Sequence, residues 1–285
     1  MLNKIVKIHA FNSDQLLPMT WWLIVLLCLI GIYGLIMWLY YLLQERFLFV
    51  ATTLQLKHTF ELASPFEEIF LEGEDGGTIH ALHIKSKESK GLILYFHGNT
   101  GNLQRWARVA EELTTYDHDV IVVDYRGFGK SHGRRTQELM YADAQRIYEY
   151  ALKHVSELEL VVYGRSLGSG LAVKVAADND PSKLVLETPY LNMIDVAFYH
   201  FPFLPVRFLL RFPFRSDKFI AEVDCPIWIF HGTRDRIVPY SSGLKLYELI
   251  NEHVEHNMIT IPRGRHSNLS NFPLFRDKMN EFLAQ

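Results

Sequence analysis

The chain has 285 residues, of which 49% are hydrophobic, and a formal net charge of −3 at pH 7. That length holds one large domain with an appendage, and a near-neutral balance without a lysine or arginine cluster argues against a nucleic-acid partner. Its two cysteines, Cys28 in an apolar run and Cys225 before a predicted strand, exclude a disulfide framework and a cysteine zinc site.

Residues 1–19 read as an N-terminal tail. Residues 20–43 carry no charge, and about 20 apolar residues suffice to cross a bilayer as a helix. Trp21 and Trp22 at one end, with Trp38, Tyr40 and Tyr41 at the other, match the aromatic belts of two membrane interfaces. A transmembrane anchor is expected. The competing reading, a secretory signal peptide, has a shorter apolar region and needs a small-x-small cleavage site that does not occur before Glu45-Arg46. Lys4 and Lys7 balance Arg46 and Lys57, so the positive-inside count is tied and leaves the side of the folded domain open. Residues 44–63 read as a connector in which Phe47-Leu48-Phe49-Val50 is apolar enough to lie against the membrane surface, and residues 64–285 as the folded domain.

Strands are predicted at Phe66 to Leu71, Thr78 to Ile84, Leu92 to Phe96, Val120 to Asp124, Leu158 to Tyr163, Lys183 to Leu186, Ile227 to Phe230 and His256 to Ile261. Helical patterns cover Asn102 to Tyr116, Glu138 to His154, Leu167 to Ala177, Ser241 to Asn251 and Phe272 to Leu283. Short apolar strands alternating with longer amphipathic segments predict an α/β fold. Its mostly parallel central sheet of about eight strands carries helices on both faces. Residues 189–223 break the rhythm with Phe198-Tyr199-His200-Phe201-Pro202-Phe203-Leu204-Pro205 and Phe208-Leu209-Leu210-Arg211-Phe212-Pro213-Phe214. An insertion of that length and aromatic density reads as a small cap over the site, while packing of the phenylalanines onto the main core is the alternative.

The pentapeptide Gly164-Arg165-Ser166-Leu167-Gly168 lies between a predicted strand and a predicted helix. A turn that tight leaves no room for side chains beside the serine, and the helix N-terminus turns backbone N–H groups toward a developing negative charge. A serine so placed needs a base, and the base needs an orienting acid. Asp235 follows one later predicted strand and His266 the next, so Ser166, Asp235 and His266 all fall in loops at the carboxyl edge of a parallel sheet. Glu187 ends a strand near the serine and is the rival orienting acid. His200 and His231 read as a cap residue and a strand-end residue. The strand at Leu92 to Phe96 runs into His97-Gly98-Asn99-Thr100-Gly101-Asn102, which offers the backbone N–H of Asn99 as one oxyanion donor, with that of Leu167 as the second. The alternative is that His97-Gly98 merely leads into a helix capped by Asn99 or Asn102. Asp124-Tyr125-Arg126-Gly127-Phe128-Gly129 lacks the lysine and serine spacing of a phosphate loop and is expected to shape the site rim. No His, Asp and Glu cluster has metal-ligand spacing, and no cofactor is expected.

The His97–Asn102 motif, Asp124-Tyr125-Arg126-Gly127-Phe128-Gly129-Lys130-Ser131, the serine pentapeptide and His231-Gly232-Thr233-x-Asp235-x-Ile237-Val238-Pro239 together resemble α/β-hydrolase-fold serine hydrolases over about Ser64 to Gln285. They are most similar to the membrane-anchored α/β-hydrolase-domain proteins, a branch resembling carboxylesterases, acyl-protein thioesterases and monoacylglycerol lipases. The resemblance implies Ser166 as nucleophile, His266 as base and Asp235 as its partner. Arg165 departs from many lipases, which carry histidine or another residue there. The expected activity is hydrolysis of acyl esters or thioesters of hydrophobic, lipid-like acyl groups. A serine peptidase or amidase using the same triad, and a non-catalytic membrane binding module on the same fold, are the alternatives. Oligomeric state is left open.

Overall fold

A computed structural model describes residues 13–284. The chain divides between Gln44 and Glu45 into two compact units. Helix α1 (Ser13–Leu48) supplies the described part of the first unit, and its last turn lies in the second. From Trp21 to Leu48 it is 28 residues long and apolar enough to cross a membrane, with none of its most apolar stretch buried. At 1.5 Å per residue that is about 42 Å, more than the roughly 30 Å of a bilayer's hydrocarbon.

The second unit begins with β1 (Val50–Ala51), β2 (Phe66–Glu72), β3 (Thr78–Ile84), β4 (Leu92–Phe96) and β5 (Thr100–Gly101), followed by α2 (Leu103–Leu113), β6 (Asp119–Asp124) and α3 (Gln137–Ala151). It continues through β7 (Leu160–Arg165), α4 (Leu167–Asp178) and β8 (Lys183–Glu187) to α5 (Met193–His200), α6 (Val206–Leu209) and α7 (Ser216–Phe219). It closes with β9 (Ile227–Gly232), α8 (Tyr240–Tyr247), β10 (His256–Ile261) and α9 (Pro273–Ala284). Eight strands form one sheet in the order β10-β9-β8-β7-β4-β6-β3-β2, parallel from β10 to β6, with β3 antiparallel to both its neighbours.

Period-2 alternation sorts the strand side chains into two cores. Leu92, Leu94 and Phe96 of β4 join Leu160 and Val162 of β7 on the face packed by α3 and α4. Ile93 and Tyr95 join Val161 and Tyr163 on the face packed by α2 and α9. Both faces are covered, so these strands read as continuous apolar runs. Full burial of each such side chain contributes about 1.5–3 kcal/mol.

Three expectations need correction. The strand predicted from Leu158 starts at Leu160, because Ser156 donates through its N–H and hydroxyl to the Glu159 carboxylate, closing a turn that leaves Leu158 86% exposed. The helix predicted to Asn251 stops at Tyr247, followed by turns at Leu249 and Ile250. Phe49 does not lie outside the protein: it is buried edge-to-face against Phe212 at 4.9 Å and Phe128 at 6.4 Å, with the Arg135 guanidinium 4.3 Å from its ring centroid. The segment between β8 and β9 divides its aromatic side chains. Phe212 and Phe214 are buried in the core, whereas Phe198, Tyr199, Phe203 and Phe208 are exposed.

Candidate active site

Ser166 ends the tight passage from β7 into α4 with φ 52° and ψ −117°, a conformation that side chains rarely adopt. The space around it explains the two glycines. A Cβ on Gly168 would lie 2.0 Å from the Phe96 carbonyl oxygen, and one on Gly164 2.5 Å from Ala172 Cβ and 2.6 Å from Ser169 Cα. Backbone atoms cannot step aside as a flexible side chain can, so both positions admit glycine alone.

The loops after β9 and β10 bring two further groups to this serine. His266 Nε2 is 2.8 Å from Ser166 Oγ, and His266 Nδ1 is 2.8 Å from Asp235 Oδ2. An ionised carboxylate only accepts, so Nδ1 carries the ring proton and Nε2 is left to accept from the serine hydroxyl. Asp235 Oδ1 accepts from the N–H groups of Ile237 and Val238 at 2.8 and 3.0 Å. Burial by itself would raise the Asp235 carboxyl, but the rings of His231 and His266 and these backbone donors outweigh it, and the group is held well below the ordinary carboxylate range. From the sequence His231 reads only as a strand-end residue. Its Nε2 lies 3.5 Å from Asp235 Oδ2 and 3.1 Å from the Val238 carbonyl.

Glu187, the rival acid, is engaged elsewhere: Tyr163 donates to it at 2.8 Å and Arg165 Nε lies 3.4 Å away. Arg165 thus points beneath the serine turn, where it also lies 5.4 Å from the Trp106 ring centroid. The buried ion pair, and not the substrate side of the turn, accounts for this residue. His200 ends α5 and its Nε2 is 2.9 Å from the Ile237 carbonyl, so the inserted segment touches the loop that carries Asp235.

Opposite the serine, Gly98 comes close enough that a Cβ there would lie 3.8 Å from Ser166 Cβ. The N–H of Asn99 makes no hydrogen bond among the described residues. Leu167 is the first residue of α4, so its N–H has no intrahelical acceptor. The helix cap of α2 is Asn102, whose side chain accepts from Gln104 N–H, and Asn99 is not used in that role. The 124–131 loop braces this region. Asp124 Oδ1 is 3.1 Å from His97 Nε2, Asp124 Oδ2 accepts from Leu103 N–H at 3.1 Å, and the Tyr125 hydroxyl donates to the His97 carbonyl at 2.5 Å.

One feature of the site is invisible in the linear sequence. Arg234, Arg236 and Arg265, from two loops about thirty residues apart, line a groove of about 670 Å³ together with Asp235 and His266. None of the three arginines has a carboxylate within ion-pair distance among the described residues.

The family model described as serine aminopeptidase, S33 (Hydrolase_4) matches residues 87–212. Protein bem46 of Schizosaccharomyces pombe is 30% identical over 200 residues, covering 66% of this chain and 67% of that protein. The chain belongs to this α/β-hydrolase family of serine hydrolases. The lysophosphatidylserine lipase ABHD12 of Danio rerio is 32% identical over 184 residues, covering 57% of this chain and 48% of the relative, so the chain spans about half the length of that curated relative. Among solved structures, an esterase of Pyrococcus furiosus superposes with a TM-score of 0.64 at 20% identity over 83% of this chain and 97% of the other. Acetyl xylan esterase 1 from Thermoanaerobacterium does so at 0.63 and 18%, over 80% and 86% of the two chains. These two share the fold.

The depressed carboxyl has a consequence for stability. A group whose folded value lies below its unfolded value of about 3.9 stabilises the protein fully above that value, and the contribution is lost as pH falls through the folded value. Urea unfolding of the wild type and Asp235→Asn should therefore show a stability gap that narrows as pH falls from about 5 to below 4. A gap independent of pH across this range would contradict the assignment.

Proposed function

We propose that the chain is a membrane-anchored serine hydrolase that cleaves acyl esters or thioesters through an acyl-enzyme. The reading is carried by the continuous Ser166–His266–Asp235 chain of hydrogen bonds, 2.8 Å at each step. Ser166 Oγ attacks the acyl carbonyl carbon as its proton passes to His266 Nε2. The Asp235 carboxylate holds the imidazolium. The carbonyl oxygen becomes an oxyanion received by the N–H groups of Asn99 and Leu167, where one donor is worth about 3–4 kcal/mol in the transition state. Collapse breaks the bond to the alcohol or thiol, which leaves with the proton from His266. Water then attacks the acyl-Ser166 ester, giving its proton to His266, and the serine is regenerated with release of the acid.

Two features support a hydrophobic acyl group with a polar leaving part. The inserted segment presents exposed aromatics and an apolar groove of about 470 Å³ lined by Leu191, Ile194, Phe198, Leu204 and Val206. Apolar walls contribute roughly 25 cal/mol per Å² of substrate removed from water. This composition supports reading the segment as the cap, within a hydrolase domain of residues 64–285 preceded by an anchor at 20–43 and a connector at 44–63. The arginine groove borders His266, the residue that protonates the leaving group, so an anionic group on that side suits it. The lysophosphatidylserine lipases among its relatives are named for such a substrate. The description of the family model as a serine aminopeptidase favours a second reading, cleavage of an aminoacyl amide.

Rates on three substrates separate these readings: a lysophospholipid with an anionic head group, a neutral acyl ester of the same chain length, and an aminoacyl amide. The proposal expects kcat/KM to fall in that order, and a faster amide would establish the peptidase reading. Membrane anchoring is read by alkaline carbonate extraction of the full chain. Retention in the membrane pellet with release by detergent is expected, whereas release by carbonate alone would overturn the anchor.

A further inference from the structure

We propose that residues 48–54, the exit from α1, are a strap that positions the oxyanion loop, although they contribute no reacting group. The inference rests on the reading of the Asn99 N–H as an oxyanion donor.

The 97–102 loop leaves β4 at the sheet's carboxyl edge, and its Thr100–Gly101 pairs in parallel with Val50–Ala51, its one strand partner among the described residues. Val50 N–H donates to the Asn99 carbonyl at 2.9 Å and Thr52 N–H to the Gly101 carbonyl at 3.1 Å. The Asn99 side-chain amide donates to the Leu48 carbonyl at 3.0 Å, and that of Asn102 donates to the Thr52 carbonyl and hydroxyl at 3.1 and 2.8 Å. Of the polar groups on Asn99, the strap thus takes the carbonyl and the side-chain amide, while the N–H makes no hydrogen bond among the described residues.

The strap is itself fixed on its far side. Gly129 N–H donates to the Thr52 carbonyl at 2.8 Å, Leu54 N–H donates to the Gly129 carbonyl at 2.7 Å, and Phe49 is buried between Phe128 and Phe212. A loop without such pairing would sample many conformations. Preorganised donors contribute only when they sit at the developing oxyanion, and a misplacement of about 1 Å can cost on the order of a hundredfold in rate. Leu48 ends α1, and its carbonyl lacks an intrahelical partner, so the amide of Asn99 also caps the helix that leads into the domain.

In a parallel ladder only alternate residues face the partner strand. Val50 and Thr52 carry the bonds to the loop, and Ala51 does not. The test uses the full-length chain with a neutral acyl ester. Val50→Pro deletes the donor to Asn99, while Ala51→Pro imposes a similar backbone restriction without deleting a strap bond. Val50→Pro should lower kcat about 10- to 100-fold with KM within about twofold and a melting temperature equal to that of Ala51→Pro, which should keep a kcat near that of the wild type. Asn99→Ala, which retains the backbone N–H and loses only the bond to Leu48, should lower kcat in the same direction by a smaller factor. Equal kcat in the two proline variants, or a loss of turnover that only tracks the loss of folded protein, overturns the strap. If Val50→Pro does not fold, an unchanged kcat in Asn99→Ala overturns it. A Ser166→Ala control isolates the underlying reading: wild-type turnover that persists in this variant refutes Ser166 as nucleophile, whatever the strap variants do.

Discussion

The passage from β7 to α4 leaves no space for a side chain on either flank of Ser166, and the rest of the site is arranged around that constraint. The Phe96 carbonyl on one side and the Ser169 and Ala172 atoms on the other approach the turn so closely that only glycine fits at 168 and 164. Ser166 is held at a positive φ by this packing. Such strain, of order 1–3 kcal/mol, persists only where surrounding structure over-determines it. Here the determinants are a parallel strand on each side of β7 and a helix that starts at Leu167. The same close approach that forbids side chains sets the start of α4 against the end of β4, so two loops from different strands meet at one hydroxyl.

The sheet order completes the arrangement. β8 and β9 follow β7 toward one edge, and β10 closes it, so the loops after β9 and β10 extend over the same carboxyl edge as the serine. Electrostatics then reinforce topology. Asp235 receives two backbone N–H groups as well as His266, and His231 adds a third kind of support. A carboxylate so surrounded stays ionised and keeps the His266 ring in one tautomer. On the opposite side, Asp124, Tyr125 and His97 form a buried brace under the 97–102 loop, and hydrogen bonds from Val50 and Thr52 hold its outer edge.

The sequence displays much of this because its determinants are local. Each central strand is an apolar run buried on both faces, and the serine, aspartate and histidine each sit directly after such a run, so their order along the chain already gives their places on the sheet. Where determinants are distant the reading fails. Val50–Ala51 is too short to show periodicity, and its partners lie about fifty residues away, so Phe49 looks like membrane-facing surface when it is core. Arg234 and Arg236 share one loop, Arg265 belongs to another, and together they form no run of charge that composition could flag. Leu158 misleads in the other direction, because the local bonds of Ser156 and Glu159 override its strand propensity.

The central claim is that Ser166 is a nucleophile activated by His266. Its most direct measurement is reaction of the folded protein with a fluorophosphonate, followed by mass mapping of the adduct. The account predicts a single phosphonylated residue, Ser166, and loss of labelling in His266→Ala protein that retains the wild-type melting temperature. An adduct on another residue, or labelling that proceeds undiminished without His266, would contradict it.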